Sequence, residues 1–236
     1  MSMLPVAVLA GGLASRLGRL TERLPKSLVE VAGRPFVDHQ LQQLARHGVE
    51  RVVLCVGHLG EMVQQFVGDG RRFGLEVEYS LDGSTPLGTG GALRRALPRL
   101  GERFCVLYGD SYLTAPMRPV QQAFADAGAA GLMCVLRNHD RWDRSNVEFA
   151  AGRVVSYSKH HPTPAMHYID YGLSVLSAAA LAATPADAAF DLGDLLAALA
   201  RAGSLAGYEV FDRFYEVGSL QGITDLNAFL TSGEAR

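Results

Sequence analysis

Short runs of consecutive apolar residues recur along the first two-thirds of the chain, and each is followed by a stretch whose apolar positions fall three and four apart. Residues 6–9, Val-Ala-Val-Leu, are apolar throughout, as a strand buried on both faces requires, and a glycine pair follows. Residues 51–56, 104–107 and 132–136 repeat that character, while 75–79 alternate and predict an edge strand. Between them, 36–47, 61–67, 91–97 and 120–127 carry helical spacing, and the first two stop at Gly48 and Gly68. After residue 137 the rhythm changes. Residues 147–149, 154–157 and 169–176 predict strands joined by a turn at Gly152 and a loop over 159–167. The tail predicts helices over 191–200 and 220–230 around a strand at 205–210.

Strands alternating with helices predict an α/β fold, a Rossmann-like three-layer sandwich with a mostly parallel central sheet. The later strands predict a small added mixed β-region. No Pro/Gly/Ser linker interrupts the 236 residues, so a single domain over 1–236 is expected, with portions 1–136 and 137–236. With 48% hydrophobic residues the chain can build its own core. A net charge of −2 argues against a nucleic-acid or membrane-surface partner, since both select a basic face. No apolar run approaches the ~20 residues of a membrane span, and no basic segment precedes an apolar stretch at the N-terminus, so a soluble, cytoplasmic chain is expected. Cys55, Cys105 and Cys134 each lie in an apolar run, which predicts buried, reduced thiols. One bias stands out among the 22 basic residues: only Lys26 and Lys159 are lysines.

In doubly wound sheets, ligands bind at the carboxyl ends of strands. The first such end reads Leu9-Ala10-Gly11-Gly12-Leu13-Ala14-Ser15-Arg16-Leu17 and leads to Leu24-Pro25-Lys26-Ser27. Adjacent glycines let the backbone turn its N–H groups towards an anion. Arg16, Arg19, Arg23 and Lys26 then set four cations against Glu22, a balance suited to a polyphosphate. The spacing is neither that of a Walker A loop nor a dinucleotide-binding fingerprint.

The segment resembles the Gly-Gly-x-Gly-Thr-Arg-Leu…Pro-Lys signature of the sugar-1-phosphate nucleotidyltransferases. Three further segments resemble that family in order: Pro86-Leu87-Gly88-Thr89-Gly90-Gly91-Ala92, Tyr108-Gly109-Asp110 and Tyr215-Glu216-Val217-Gly218-Ser219. The resemblance covers nearly the whole chain and is nearest to the compact bacterial branch of heptose-1-phosphate guanylyltransferases and N-acetylmuramate-1-phosphate uridylyltransferases. Ala14 and Ser15 depart from the usual Gly and Thr, Ser27 from Pro or Ala, Ser158 from Glu, and Glu216 from Asp.

The resemblance implies transfer of a nucleotidyl group from an NTP to a sugar 1-phosphate, giving an NDP-sugar and pyrophosphate with Mg²⁺, in bacterial glycan or activated-heptose biosynthesis. It makes 1–136 the nucleotide-binding portion and 137–236 the sugar-binding portion with C-terminal helices. Arg16 would grip the leaving pyrophosphate, Lys26 the α-phosphate and the incoming phosphate, and Asp110 with Glu216 the metal. Leu9, Ala10, Gly11, Gly12, Asp82, Gly88 and Thr89 would hold the nucleotide; Asn146, Glu148, Lys159, Asp170 and Gly172 would hold the sugar phosphate. Asp82 has two readings, an acceptor for two guanine N–H donors or the cap of a turn. Guanylyl transfer to a heptose- or mannose-type sugar is the preferred reading, and the oligomeric state is open. Glu216 and Ser158 favour the alternative, a non-catalytic homologue that binds a nucleotide or NDP-sugar and regulates a partner. Trp142 reads as a loop anchor or a sugar-stacking lid, with the anchor preferred, and His160, His161 and His167 fit no zinc pattern.

Overall fold

The computed structural model describes residues 2–12, 24–83, 85–182, 184–185 and 188–233. Four strands form the first half of the central sheet: β1 (Val6–Leu9), β4 (Arg51–Val56), β5 (Glu76–Leu81) and β6 (Arg103–Tyr108), all parallel. Two short pairs lie outside it: β2 (Glu30–Val31) with β3 (Arg34–Pro35), and β7 (Ser111–Tyr112) with β13 (Tyr215–Glu216). The remaining strands are β8 (Gly131–Arg137), β9 (Val147–Ala150), β10 (Arg153–Tyr157), β11 (Tyr168–Ser177) and β12 (Leu205–Val210). All nine long strands join one sheet in the order β5-β4-β1-β6-β11-β8-β12-β10-β9.

The expected mixed β-region is therefore continuous with the central sheet. Its longest strand, β11, runs antiparallel between β6 and β8, so the two expected portions share one sheet. β9 and β10 close the far edge through a tight turn at Ala151 and Gly152, both at positive φ, the two-residue hairpin geometry that matches strand twist. The opposite edge is β5, as the alternation in 75–79 predicts.

The apolar runs are explained by cover on both faces. Val6 and Val8 point to the side of α1 (Phe36–Arg46), α2 (Gly60–Val67) and α4 (Met117–Ala127), where Leu41, Val63 and Phe124 join one core. Ala7 and Leu9 face the opposite core with Leu93 of α3 (Gly88–Leu100), Leu181 of α5 (Ala178–Ala182) and Leu196 of α6 (Leu192–Arg201). The C-terminal α7 (Leu220–Ser232) seals a small third cluster of Val31, Phe36, Tyr112, Val217 and Leu226. The three cysteines are free and buried, and burial pushes the Cys55 and Cys105 thiols up to about 12. Among the described residues no helix is long and apolar enough to cross a membrane.

Candidate functional site

The carboxyl ends of β1, β4, β5 and β6 lie side by side, and a cavity of about 300 Å³ opens above them. Its walls are backbone-rich. Leu9, Ala10, Gly11 and Gly12 leave β1, Gly88 and Thr89 start α3, and Asp82 follows β5. Every residue expected to hold the nucleotide lines this cavity, together with Lys26, Ser27, Cys55, Tyr108 and Asp110. The glycine that precedes Asp110 is dictated by strand packing. Gly109 donates its N–H to Leu9 O at 3.0 Å, and a Cβ there would stand 2.5 Å from that oxygen.

At one end of the cavity, Lys26 Nζ lies 3.0 Å from Asp110 Oδ2. Lys26 opens a single 3-10 turn, Lys26–Leu28, preceded by Pro25 in extended backbone with its φ held by the ring. Asp110 follows β6, and its carbonyl accepts from Val217 N–H at 2.9 Å, which draws the β13 segment alongside. Glu216 Oε2, Lys26 Nζ and Asp110 Oδ2 stand 2.5, 3.4 and 3.6 Å from the point where a side chain on Gly218 would begin. The Glu216 carboxylate also accepts from Gly218 N–H and, at 2.6 Å, from the Ser219 hydroxyl, itself the N-cap of α7. Arg16 lies outside the described residues.

Asp82 is almost fully buried, and burial pushes its carboxyl above the ordinary carboxylate range, opposed by Leu87 N–H and Arg95. It accepts from Leu87 N–H, as a turn cap does, and it also lines the cavity.

The residues expected on the sugar side cluster around β11, outside the lining of this cavity. Gly172, at φ +89, sits where the β11–β8 register shifts, and its Cα surface rests on Ser111 and Tyr108. Asn146 accepts from Asp170 N–H at 2.9 Å through its side chain. The Asp170 carboxylate is enclosed: it accepts from the Tyr108 and Tyr157 hydroxyls, each at 3.2 Å, and from Gly172 N–H at 3.0 Å. Burial raises its pKa against those three donors and Lys159, and pushes both tyrosines well above their ordinary range. Asp170 therefore organises Tyr108 from behind. Glu148 is half-buried on β9, opposite Ser156. Lys159 pairs with Asp191 Oδ1 at 2.9 Å, over the Tyr108 ring.

Several site residues escaped the motif reading. Tyr108 stands in the Tyr108-Gly109-Asp110 segment without a role of its own, Tyr157 looks like an ordinary strand end, and Asp191 falls at the start of a predicted helix. Only the lysine it meets 32 positions away gives it another role. Trp142 behaves as an anchor: the Arg213 guanidinium lies 3.8 Å from its ring and 4.7 Å from that of Tyr215, which stacks on Phe229 at 4.4 Å. Among the described residues no three His, Cys, Asp or Glu side chains gather as a metal cluster.

A family profile described as nucleotidyl transferase matches residues 6–233, and the chain belongs to that family. A D-glycero-alpha-D-manno-heptose 1-phosphate guanylyltransferase of Aneurinibacillus thermoaerophilus is 32% identical over 112 residues, 47% of this chain and 48% of that one. An N-acetylmuramate alpha-1-phosphate uridylyltransferase of Neisseria meningitidis serogroup B is 36% identical over 104 residues, 44% of this chain and 45% of that one. The chain thus spans about half the length of these curated relatives. The solved structure of HddC from Yersinia pseudotuberculosis complexed with GMP-PN superposes with a TM-score of 0.81 at 23% identity, covering 97% of this chain and all of that one, which shows a shared fold.

Proposed function

We propose that the protein transfers a nucleotidyl group from a nucleoside triphosphate to a sugar 1-phosphate, releasing pyrophosphate and forming an NDP-sugar. The observation that carries this reading is the Lys26–Asp110 pair at one end of a glycine-walled cavity, with the second lysine beyond Tyr108. A phosphate oxygen of the sugar 1-phosphate forms a bond to the α-phosphorus as the bond to the β-phosphate oxygen breaks. That nucleophile is already an anion, so no general base is required. The protein's task is to align two repelling phosphates and offset the charge that develops. Lys26 supplies a compact positive charge between them, and glycine N–H groups supply oriented donors.

A magnesium ion fits this donor set, because Mg²⁺ is usually held by one or two carboxylates together with substrate phosphates. Asp110 and Glu216 would hold it, and when bound it would act as a Lewis acid on the α-phosphate. Asp82 supports a guanine base. Guanine presents two adjacent N–H donors to a carboxylate, whereas uracil and thymine flank their single N–H with carbonyl oxygens that it repels. A heptose- or mannose-type acceptor is consistent with the similarity to the heptose enzyme, and the product would feed glycan or activated-heptose assembly in the cytoplasm.

Pyrophosphate release from a panel of NTPs and sugar 1-phosphates with Mg²⁺ tests the reading, and silence across the panel would sink it. Lys26→Ala and Asp110→Ala should each lower turnover about 100-fold or more, the scale for losing a charge-stabilising group. The second reading, a regulatory homologue that binds NDP-sugar without turnover, is favoured by the two hydrogen bonds that already engage Glu216. Calorimetric binding of NDP-sugar by a protein that releases no pyrophosphate would select it.

A further inference from the structure

Lys159 is held on three sides. Its ammonium lies 2.9 Å from Asp191 Oδ1 and 5.5 Å from the centre of the Tyr108 ring. Its stem crosses bare backbone at Gly193, where a Cβ would stand 3.0 Å from Cε and 3.2 Å from Cδ. Asp191 caps α6 by accepting from Gly193 N–H at 2.6 Å. The Thr89 hydroxyl also bonds the Asp191 side chain and accepts from Leu192 N–H at 2.8 Å. Thr89 and Tyr108 line the nucleotide cavity, whereas Lys159 and Asp191 line a neighbouring groove of about 470 Å³. Asp191 therefore stands on the wall between the two.

Capping alone accounts for little of this. Asn, Ser or Thr would cap α6 as well as Asp, and none would pair with an ammonium. A lysine on a four-carbon stem is a mobile point charge, and alignment of two phosphates suffers from displacements near 1 Å.

We propose that Asp191 is a positioning residue: with Gly193 it fixes the Lys159 ammonium on the wall between cavity and groove, where the sugar phosphate meets the nucleotide. The inference rests on the nucleotidyl-transfer reading. In Asp191→Asn the cap survives and the charge is lost. The KM for sugar 1-phosphate should rise about tenfold, the KM for NTP should stay within about twofold, and the melting temperature should hold within about 2 °C because Asn caps equally well. In a Lys159→Met background the same change should add less than about twofold, since the two act as one unit. Gly193→Ala leaves every charge in place but crowds both halves of the pair, the Asp191 carboxylate at 2.8 Å and the lysine stem at 3.0 Å, and it should raise the same KM. An Asp191→Asn effect of equal size with and without Lys159 overturns the proposal, as does a fall in KM, which would mean that Asp191 merely screens the lysine.

A measurement without substrate separates this inference from the functional reading. The chain has only two lysines, so ¹³C-dimethylation gives two lysine signals by NMR. Asp191→Asn should move the Lys159 signal and leave that of Lys26. An unmoved Lys159 signal refutes the positioning role even in a protein that turns nothing over, and a moved signal upholds it there.

Discussion

Replacing Gly109 by alanine tests whether strand packing sets the position of Asp110. The added Cβ would lie 2.5 Å from Leu9 O, 2.7 Å from Ala10 Cα and 2.8 Å from Leu9 C. All three are backbone atoms, so no side chain can swing aside. Ordinary van der Waals contact begins at 3.4 Å, so the ends of β1 and β6 must part by roughly 0.9 Å. Overpacking of this kind costs about 1–3 kcal/mol, a fall of about 3–10 °C in melting temperature for a chain of this size. The same displacement carries Asp110 away from Lys26, and a shift near 1 Å in a reacting constellation costs about 100-fold in turnover. Calorimetry and pyrophosphate release read the two effects separately. Gly12→Ala is the stability control, because among the described residues nothing lies within 4 Å of its would-be Cβ, and its melting temperature should change by less than about 2 °C. Wild-type stability and turnover in Gly109→Ala would refute the packing argument. Lost stability with full turnover would instead remove Asp110 from the reacting centre.

Asp82→Asn should weaken GTP binding about 10- to 100-fold in calorimetry, the cost of losing a hydrogen bond to a charged group, with a smaller effect on UTP. The sign of its stability effect is opposite. Burial raises the folded-state pKa of Asp82 above its unfolded value, so wild-type stability grows as pH falls through the folded pKa towards about 4. Asp82→Asn should therefore be the more stable protein at pH 7, with the gap closing on acidification; a gap independent of pH would contradict the buried carboxylate. Lys26→Arg and Lys159→Arg keep the charge but change its shape and hydration, and steady-state kinetics should show turnover impaired about tenfold in each. Arg213→Ala removes a guanidinium held between Trp142 and Tyr215 and paired with Asp225, and urea titration should show a loss of about 2 kcal/mol.

What the sequence could and could not convey follows from the range of each interaction. The run 6–9 needed only its own four side chains to announce a strand buried twice over, and both faces of β1 are covered by separate cores. Gly11 and the Gly109-Asp110 pair were legible for a related reason: close approach of backbone leaves its mark at the residue that must lack a side chain. Strand order carries no such local mark. Nothing in 168–177 signals that β11 inserts between β6 and β8, because its partners are chosen by surfaces built from distant segments. The sugar-side residues show the same limit. Asp170 is expected on the sugar side only through the family resemblance, and nothing local shows that two tyrosines and a glycine N–H occupy its carboxylate. Asp191 reads only as the start of a helix because the local pattern is complete without Lys159. A motif can name the residues that must meet substrate; the residues that hold those in place are found only once the fold has brought them within 3 Å of one another.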